Sequence, residues 1–329
     1  MSDLLGIHHV TALSKDGVGN VRFHAGVLGL RPVKRTVNFD DPTTWHLCFA
    51  DRRGTPGTTM TYFPHPMAAR EDRDVAGQTL RTVFAAPPGS LGHWRDRLAA
   101  AGVSVAEDDG ELVFEEPDGT RLGIAEDAGD ERTDTVAWEA AAVPPERQLR
   151  GFERVVVGVT EDEVDAVADG LVRTLGFTDS GRAPGGGRRL LLGGGGPGRR
   201  LDVRPAPVAA RGRVRMGTGS VHHVAWRVAD EAAQGRVRER LVAAGLQPIG
   251  VVDRDYFLAI YCRMPGGLIF EFSTDGPGFT IDEPEDALGG SLPLPAQHEP
   301  HRPAIEQRLR PSPAAMDAVM AEVGALGGR

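Results

Sequence analysis

Short apolar runs followed by amphipathic stretches recur along this chain of 329 residues at a nearly constant interval. The runs containing Val10, Val83, Val155 and Val224 align at steps of 73, 72 and 69 residues, a period too long for a solenoid repeat and suited to duplicated small domains. Behind each run the apolar positions move to helical spacing. In the second unit they fall at Leu91, Trp94, Leu98 and Ala101. In the third, Thr160 and Glu163 form a capping-box pattern ahead of Val164, Val167, Leu171 and Leu175. The helices close on matching phrases, Leu28-Gly29-Leu30, Ala101-Gly102-Val103, Leu175-Gly176-Phe177 and Ala244-Gly245-Leu246, where glycine after the last turn acts as the stop. Short β-type runs split by turn signals follow, as in His46 to Ala50, Gly54-Thr55-Pro56-Gly57 and Thr58 to Phe63. The repeating unit reads strand, helix, three strands.

The units are expected over residues 1–66, 78–126, 150–206 and 218–275, with charged or Ala/Pro-rich linkers from Met67 to Gln78 and from Asp127 to Gln148. Beyond Asp275 the chain becomes proline-rich and irregular, an extension over 276–329 with a last helical pattern from Pro313 to Val323. The glycine-rich stretch between Gly181 and Gly198 does not open a helix after a strand in dinucleotide-binding spacing, so it reads as a hairpin loop.

Composition narrows the function classes. Hydrophobic residues make up 40% and charged residues 25%, and no apolar run approaches the ~18 residues that a membrane span needs. The N-terminus lacks the basic start and apolar core of a signal peptide, so a cytoplasmic location and no membrane partner are expected. A net charge of -9 with scattered arginines gives no nucleic-acid partner. Cys48 and Cys262 are too few for a disulfide framework and read as buried packing residues. Assembly into a homo-oligomer stays open.

Only the first and last units carry histidine where the opening strand begins, in Ile7-His8-His9-Val10 and Val221-His222-His223-Val224. Side chains of a strand alternate between faces, so each pair offers one ligand to a given cavity. If His9 faces inward, Thr11 shares its face, and His223 shares its face with Ala225 and Arg227. Alternation leaves His8 and His222 either at the strand mouth or behind it. The last strand of the fourth unit places Glu271 in an apolar run, where a carboxylate needs a cation or a hydrogen-bond network.

Comparison across the units sharpens the choice. The opening-strand slots align as His9, Thr82, Arg154 and His223, and the last-strand slots as Tyr62, Gly123, Asp202 and Glu271. Arg154 with Asp202 reads as an ion pair, which leaves His9, His223 and Glu271. Two imidazoles and one carboxylate with open positions form the ligand set of non-haem Fe(II) oxygenases. The same donors suit Zn, Mn or Ni.

The repeated βαβββ unit, with histidine on its first strand and glutamate on its last, resembles the vicinal-oxygen-chelate superfamily of glyoxalases, bleomycin-resistance proteins and extradiol dioxygenases. Within it, Val33-Lys34-Arg35-Thr36-Val37-Asn38-Phe39-Asp40, Gly54-Thr55-Pro56-Gly57-Thr58, and Asp282-Glu283-Pro284 followed by Leu288-Gly289 resemble ring-cleaving dioxygenases of the hydroquinone type. The resemblance implies an α+β fold of four βαβββ modules in two pseudo-symmetric halves, with the metal site between the first and last modules. It implies Fe(II), O2 as co-substrate and a small aromatic substrate. It also matches Arg254 and Tyr261 to residues that line the substrate pocket, and His8, Thr11 and His222 to neighbours of the metal. In that family's chemistry Tyr261 would hydrogen-bond the ring oxygen, Arg254 would orient Tyr261 or stabilise charge, and His222 would move a proton. Two other readings predict different behaviour. A glyoxalase-like isomerase or lyase needs no dioxygen and wants a fourth ligand, for which Tyr62 is the available group; a protein sequestering an aromatic compound needs no metal.

Overall fold

The computed structural model describes residues 2–67, 69, 74–127, 134–209 and 215–325. The first module contains β1 (Leu4–Ser14), α1 (Gly17–Val21, continued by a π-helical turn over Arg22–Val27), β2 (Arg31–Val37), β3 (Trp45–Ala50) and β4 (Thr59–Pro64). The second contains β5 (Gln78–Ala86), α2 (Leu91–Ala100), β6 (Val105–Asp108), β7 (Glu111–Glu115) and β8 (Arg121–Glu126). The third has β9 (Phe152–Val159), α3 (Val164–Leu175), β10 (Thr178–Arg182), β11 (Arg188–Leu191) and β12 (Arg200–Pro205). The fourth has β13 (Val221–Val228), α4 (Glu231–Ala243), β14 (Ile249–Asp253), β15 (Phe257–Arg263) and β16 (Ile269–Pro277). Two helices, α5 (Arg302–Arg308) and α6 (Pro313–Gly324), lie in the extension. Among the described residues, no helix is long and apolar enough to cross a membrane.

Local signals explain these elements. Thr160 and Glu163 make the capping box, and Val164, Val167, Leu171 and Leu175 are the buried stripe of α3. On α2 the buried stripe reduces to Trp94 and Leu98, with Ala101 exposed beyond the last turn. Gly29, Gly102, Gly176 and Gly245 all take positive φ, between 71° and 79°, as a left-handed helix stop requires. The glycine-rich stretch forms the turns flanking β11. Parts of both linkers, residues 68, 70–73 and 128–133, and the terminal residues 326–329 lie outside the described residues.

The modules pair from the outside in. The first and fourth form one eight-stranded sheet, in the order β14-β15-β16-β13-β1-β4-β3-β2. The second and third form the other, β10-β11-β12-β9-β5-β8-β7-β6. The antiparallel pairs β1–β13 and β5–β9 sit at the centres of their sheets, and one apolar core runs through both halves. The opening strands of the first and fourth modules, 4–14 and 221–228, are therefore direct neighbours.

The extension wraps the first module. Lys34, almost fully buried, is paired with Asp282 at 2.6 Å and with Glu283. Arg31 donates to the carbonyls of Glu285 and Asp286, and Arg35 to those of Gly289 and Gly290. Gly289 has φ +74°, and a Cβ there would lie 2.1 Å from the Pro32 carbonyl oxygen, so only glycine lets the strap lie this close. The segments Val33–Asp40 and Asp282–Gly289 are two sides of one clamp.

Candidate metal centre

Register decides which side chains meet. Where β1 pairs with β13, Ile7 faces Trp226 and His9 faces Ala225, leaving His8 as an extra residue on β1; Thr11 faces His223 and Ala12 faces Val221, leaving His222 extra on β13. A bulge sets two residues against one and interrupts alternation. Simple alternation therefore misplaces His8 and His222, since both line the cavity that also holds His9 and His223. On the other side of β13, Glu271 faces Ala225 from the parallel strand β16.

Three donor atoms converge. His9 Nε2 lies 3.2 Å from His223 Nε2, and Glu271 Oε2 lies 2.9 Å from His223 Nε2 and 3.6 Å from His9 Nε2. Donors about 2.1 Å from one ion, at about 90–110° to one another, stand about 3.0–3.4 Å apart. The observed triangle brackets that range. All three residues are buried, and among the described residues they are the one group of His, Cys, Asp or Glu placed to share an ion.

The surroundings favour a cation at this point. Glu271 Oε1 accepts from Ser273 Oγ at 2.7 Å, whereas Oε2 has no hydrogen bond of acceptable angle despite complete burial. A buried carboxylate oxygen without a donor is strongly disfavoured unless a positive charge compensates it. Burial pushes the Glu271 carboxyl upward, but His9 and His223 outweigh it and hold it well below the usual carboxylate range. Burial lowers the His223 ring, with Glu271 opposing.

The bulged histidines set the tautomers that His9 and His223 would need in order to hold an ion. His8 Nδ1 lies 2.8 Å from His9 Nδ1, and His222 Nδ1 lies 2.8 Å from His223 Nδ1. A ring that offers its Nε2 lone pair to a metal carries its proton on Nδ1 and donates it to a second group, which sets its orientation. With an ion on His9 and His223, that group would be the neighbouring histidine, which would in turn carry its own proton on Nε2. Burial, reinforced by the adjacent histidine, holds His8 well below its ordinary value and His222 at about 4. Both are neutral at pH 7.

A cavity of 490 Å³ opens over these donors, within the size range of small-molecule sites. Thr11, Tyr261 and Arg254 all line it. Arg254 Nε donates to the Tyr261 hydroxyl at 3.1 Å, and its terminal nitrogens reach Asp40 at 3.0 and 3.3 Å. Burial and Glu271 push the Tyr261 phenol well above its ordinary value, against the pull of Arg254, so the phenol keeps its proton. Phe257 packs its ring 5.0 Å from His8 and 5.2 Å from His9. Cys48 also lines the cavity, and burial pushes its thiol up to about 12, which leaves it unreactive. Cys262 is buried and free, as composition suggested.

The unit-to-unit alignment needs a shift of one residue. Ala225 faces His9 and Glu271, while Thr11 faces His223 and Thr61, so Thr61 holds in the first module the slot that Glu271 holds in the fourth. Tyr62 points to the opposite side, fully buried, with its ring 4.7 Å from His24. It is not a fourth ligand. In the other sheet Val156 faces Arg81 and Asp202, so the counterpart of His9 is Arg81 rather than Thr82. That site is filled by ion pairs: Arg81 with Asp108 at 2.8 Å and with Glu111, Arg154 with Glu111 and 3.2 Å from Asp202, and Arg189 bidentate on Asp202. The expected Arg154–Asp202 pair is therefore part of a larger cluster.

Several groups at or beside the site were not singled out in the sequence. Ser273 was within reach of sequence reasoning, because it lies two residues beyond Glu271 on one strand and so shares its face. Thr61 was hidden by the one-residue slip. His46, Phe39, Asp40 and Phe257 carry no signal in spacing and are brought in by sheet order and loop packing.

No protein-family model matches the sequence. The chain is 38% identical over 312 residues to MhqO of Bacillus subtilis strain 168, provisionally named a ring-cleaving dioxygenase, covering 93% of this chain and 96% of that protein. It is 32% identical over 307 residues to the chlorohydroquinone/hydroquinone 1,2-dioxygenase of Sphingobium indicum, covering 89% and 92%. A crystal structure of a provisionally named dioxygenase from Bacillus subtilis superposes with a TM-score of 0.82 at 37% identity, covering 95% of this chain and 98% of that one. Glyoxalase-type pairing of modules, a His-His-Glu triangle and near-full-length likeness converge: the chain belongs to the ring-cleaving dioxygenase family of the vicinal-oxygen-chelate superfamily.

Proposed function

We propose that this protein is a non-haem Fe(II)-dependent dioxygenase that uses O2 to cleave a hydroquinone-like or other dihydroxylated aromatic ring. The observation that carries this reading is the donor set: three protein ligands converge, and the fourth slot holds Thr61, whose hydroxyl is engaged by Thr11 and His46. A four-ligand glyoxalase-type centre has no fourth carboxylate here. The three-donor arrangement leaves positions for substrate and dioxygen, as oxygenase centres require. The converging donors also argue against a metal-free binding protein.

Iron held by His9, His223 and Glu271 would bind a ring hydroxyl as its anion, set it beside dioxygen and mediate electron transfer between them. The chain's own groups do the rest. His8 and His222 hold the two ligand rings in one tautomer. Tyr261, kept protonated, donates a hydrogen bond to the ring oxygen, and Arg254 orients the phenol and offsets developing negative charge. His222, neutral and with Nδ1 taken by His223, offers its Nε2 hydrogen as a hydrogen bond to oxygen as charge builds there, without giving up the proton. Thr11, Phe257 and Phe39 shape the wall against which a ring lies.

The test is oxygen uptake by protein loaded anaerobically with Fe(II), with hydroquinones and catechols compared side by side. Uptake with a hydroquinone and formation of a ring-opened acid is the expected result; no uptake with any diphenol at full iron occupancy overturns the assignment. In the same assay Tyr261→Phe should keep its iron and lose roughly 100-fold in turnover. Unchanged turnover would remove Tyr261 from the chemistry.

A further inference from the structure

We infer that His46 reads the ring hydroxyl remote from the metal centre, and so selects 1,4-dihydroxylated rings over monophenols and 1,2-diols. This rests on the reading of the cavity as a ring-cleaving site. His46 is on β3, two strands from β1 in the order β1-β4-β3, and lines the same cavity as the metal donors. Two strand spacings are roughly 10 Å. A metal–oxygen bond of about 2 Å, an aromatic ring and a hydrogen bond of about 2.8 Å together span roughly that distance.

Hydrogen bonding fixes what His46 offers. Thr61 Oγ1 donates its one hydrogen to Thr11 Oγ1 at 2.9 Å, so its contact of 3.0 Å with His46 Nε2 must be one in which Thr61 accepts. His46 then carries its proton on Nε2 and a lone pair on Nδ1. Nδ1 has no hydrogen-bond partner among the described residues, and His46 lines the cavity. Phe63 packs 4.6 Å from the imidazole and holds its plane. Burial, with His9, His223 and Arg254 facing it, lowers the ring to about 3, so the acceptor persists at neutral pH.

Two polar groups of the same cavity are already engaged. Arg254 serves Tyr261 and Asp40, and Asn38 Oδ1 accepts from the Asp40 backbone. A ring anchored through one hydroxyl presents a para hydroxyl at its far end, where Nδ1 can accept it. A 1,2-diol turns both oxygens toward the metal, and a monophenol has nothing to present.

The experiment is anaerobic calorimetric titration of Fe(II)-loaded protein with hydroquinone and with phenol, which reads binding without turnover. Wild type should bind hydroquinone roughly tenfold more tightly than phenol, the effect of one hydrogen bond. His46→Phe should erase that preference and leave phenol binding unchanged, and His46→Asn, which keeps an acceptor, should restore part of it. If His46→Phe does not fold, His46→Leu gives the same ratio. A preference unchanged in the apolar variant, or absent from wild type, overturns the assignment, as does equal weakening of both ligands. A preserved preference in protein that takes up no oxygen would count against the dioxygenase reading and leave His46 in its role.

Discussion

Glu271→Gln protein is expected to fold normally and to fail at holding iron. The substitution keeps the side chain's size and its contact with Ser273 but removes the negative charge that faces His9 and His223. Loss of a group that merely orients a ligand weakens metal binding by about 10–100-fold, so loss of the ligand itself should exceed roughly 100-fold. Ring cleavage should vanish at stoichiometric Fe(II). The metal-free form should not suffer in parallel. Wild-type Glu271 leaves one buried oxygen without a hydrogen bond, and neutralising it removes a desolvated charge. Competition titration with Fe(II) and thermal melting of the metal-free proteins measure the two effects separately. A Gln variant with wild-type iron affinity would remove Glu271 from the centre.

Lys34→Met is expected to produce the largest loss of stability among single changes away from the centre. It leaves Glu283, 5% exposed, without its cation and frees Asp282, which also accepts from Tyr256. Breaking a buried pair from one side costs about 3–5 kcal/mol, so the melting temperature should fall by several degrees. Tyr256 and Phe279, which flank the clamp, line the cavity over His9, His223 and Glu271, so KM should rise together with the destabilisation. The pH dependence follows in sign. Burial pushes the Glu283 carboxyl up, but Lys34 and Ser291 outweigh it and hold it below its ordinary value. A depressed carboxyl stabilises the fold above its unfolded value, about 4.3, and loses that contribution as pH falls through the folded value. The gap between wild type and Lys34→Met should therefore be full at pH 7 and shrink below about pH 4. A gap independent of pH would mean that Lys34 acts through packing alone.

The sequence made much of this arrangement legible because duplication supplies internal controls. Period, helix stops and turn glycines mark the strand-helix-strand-strand-strand unit, and unequal histidine content marks which units carry donors. His9, His223 and Glu271 follow from that contrast, and the structure brings their donor atoms within 3.6 Å of one another. What escaped was register at the level of one residue. Bulges at His8 and His222 are set by how β1 meets β13, which neither strand shows alone. The same slip put Tyr62 where Thr61 stands and Thr82 where Arg81 stands, and a one-residue slip in a strand exchanges cavity for core. His46, Asp40 and the Lys34 clamp depend on which strands become neighbours and where the extension folds back. Resemblance pointed to both sides of that clamp, Val33–Asp40 and Asp282–Gly289, without saying that they touch.

One metal centre is expected where the first and last modules meet, and anomalous diffraction at the iron edge, from crystals grown anaerobically with Fe(II), would locate it. The structure predicts one strong peak about 2.0–2.2 Å from His9 Nε2, His223 Nε2 and Glu271 Oε2, and no peak at the ion-paired site of Arg81, Arg154 and Asp202. Iron bound stoichiometrically elsewhere, with the His9–His223–Glu271 triangle empty, would contradict it.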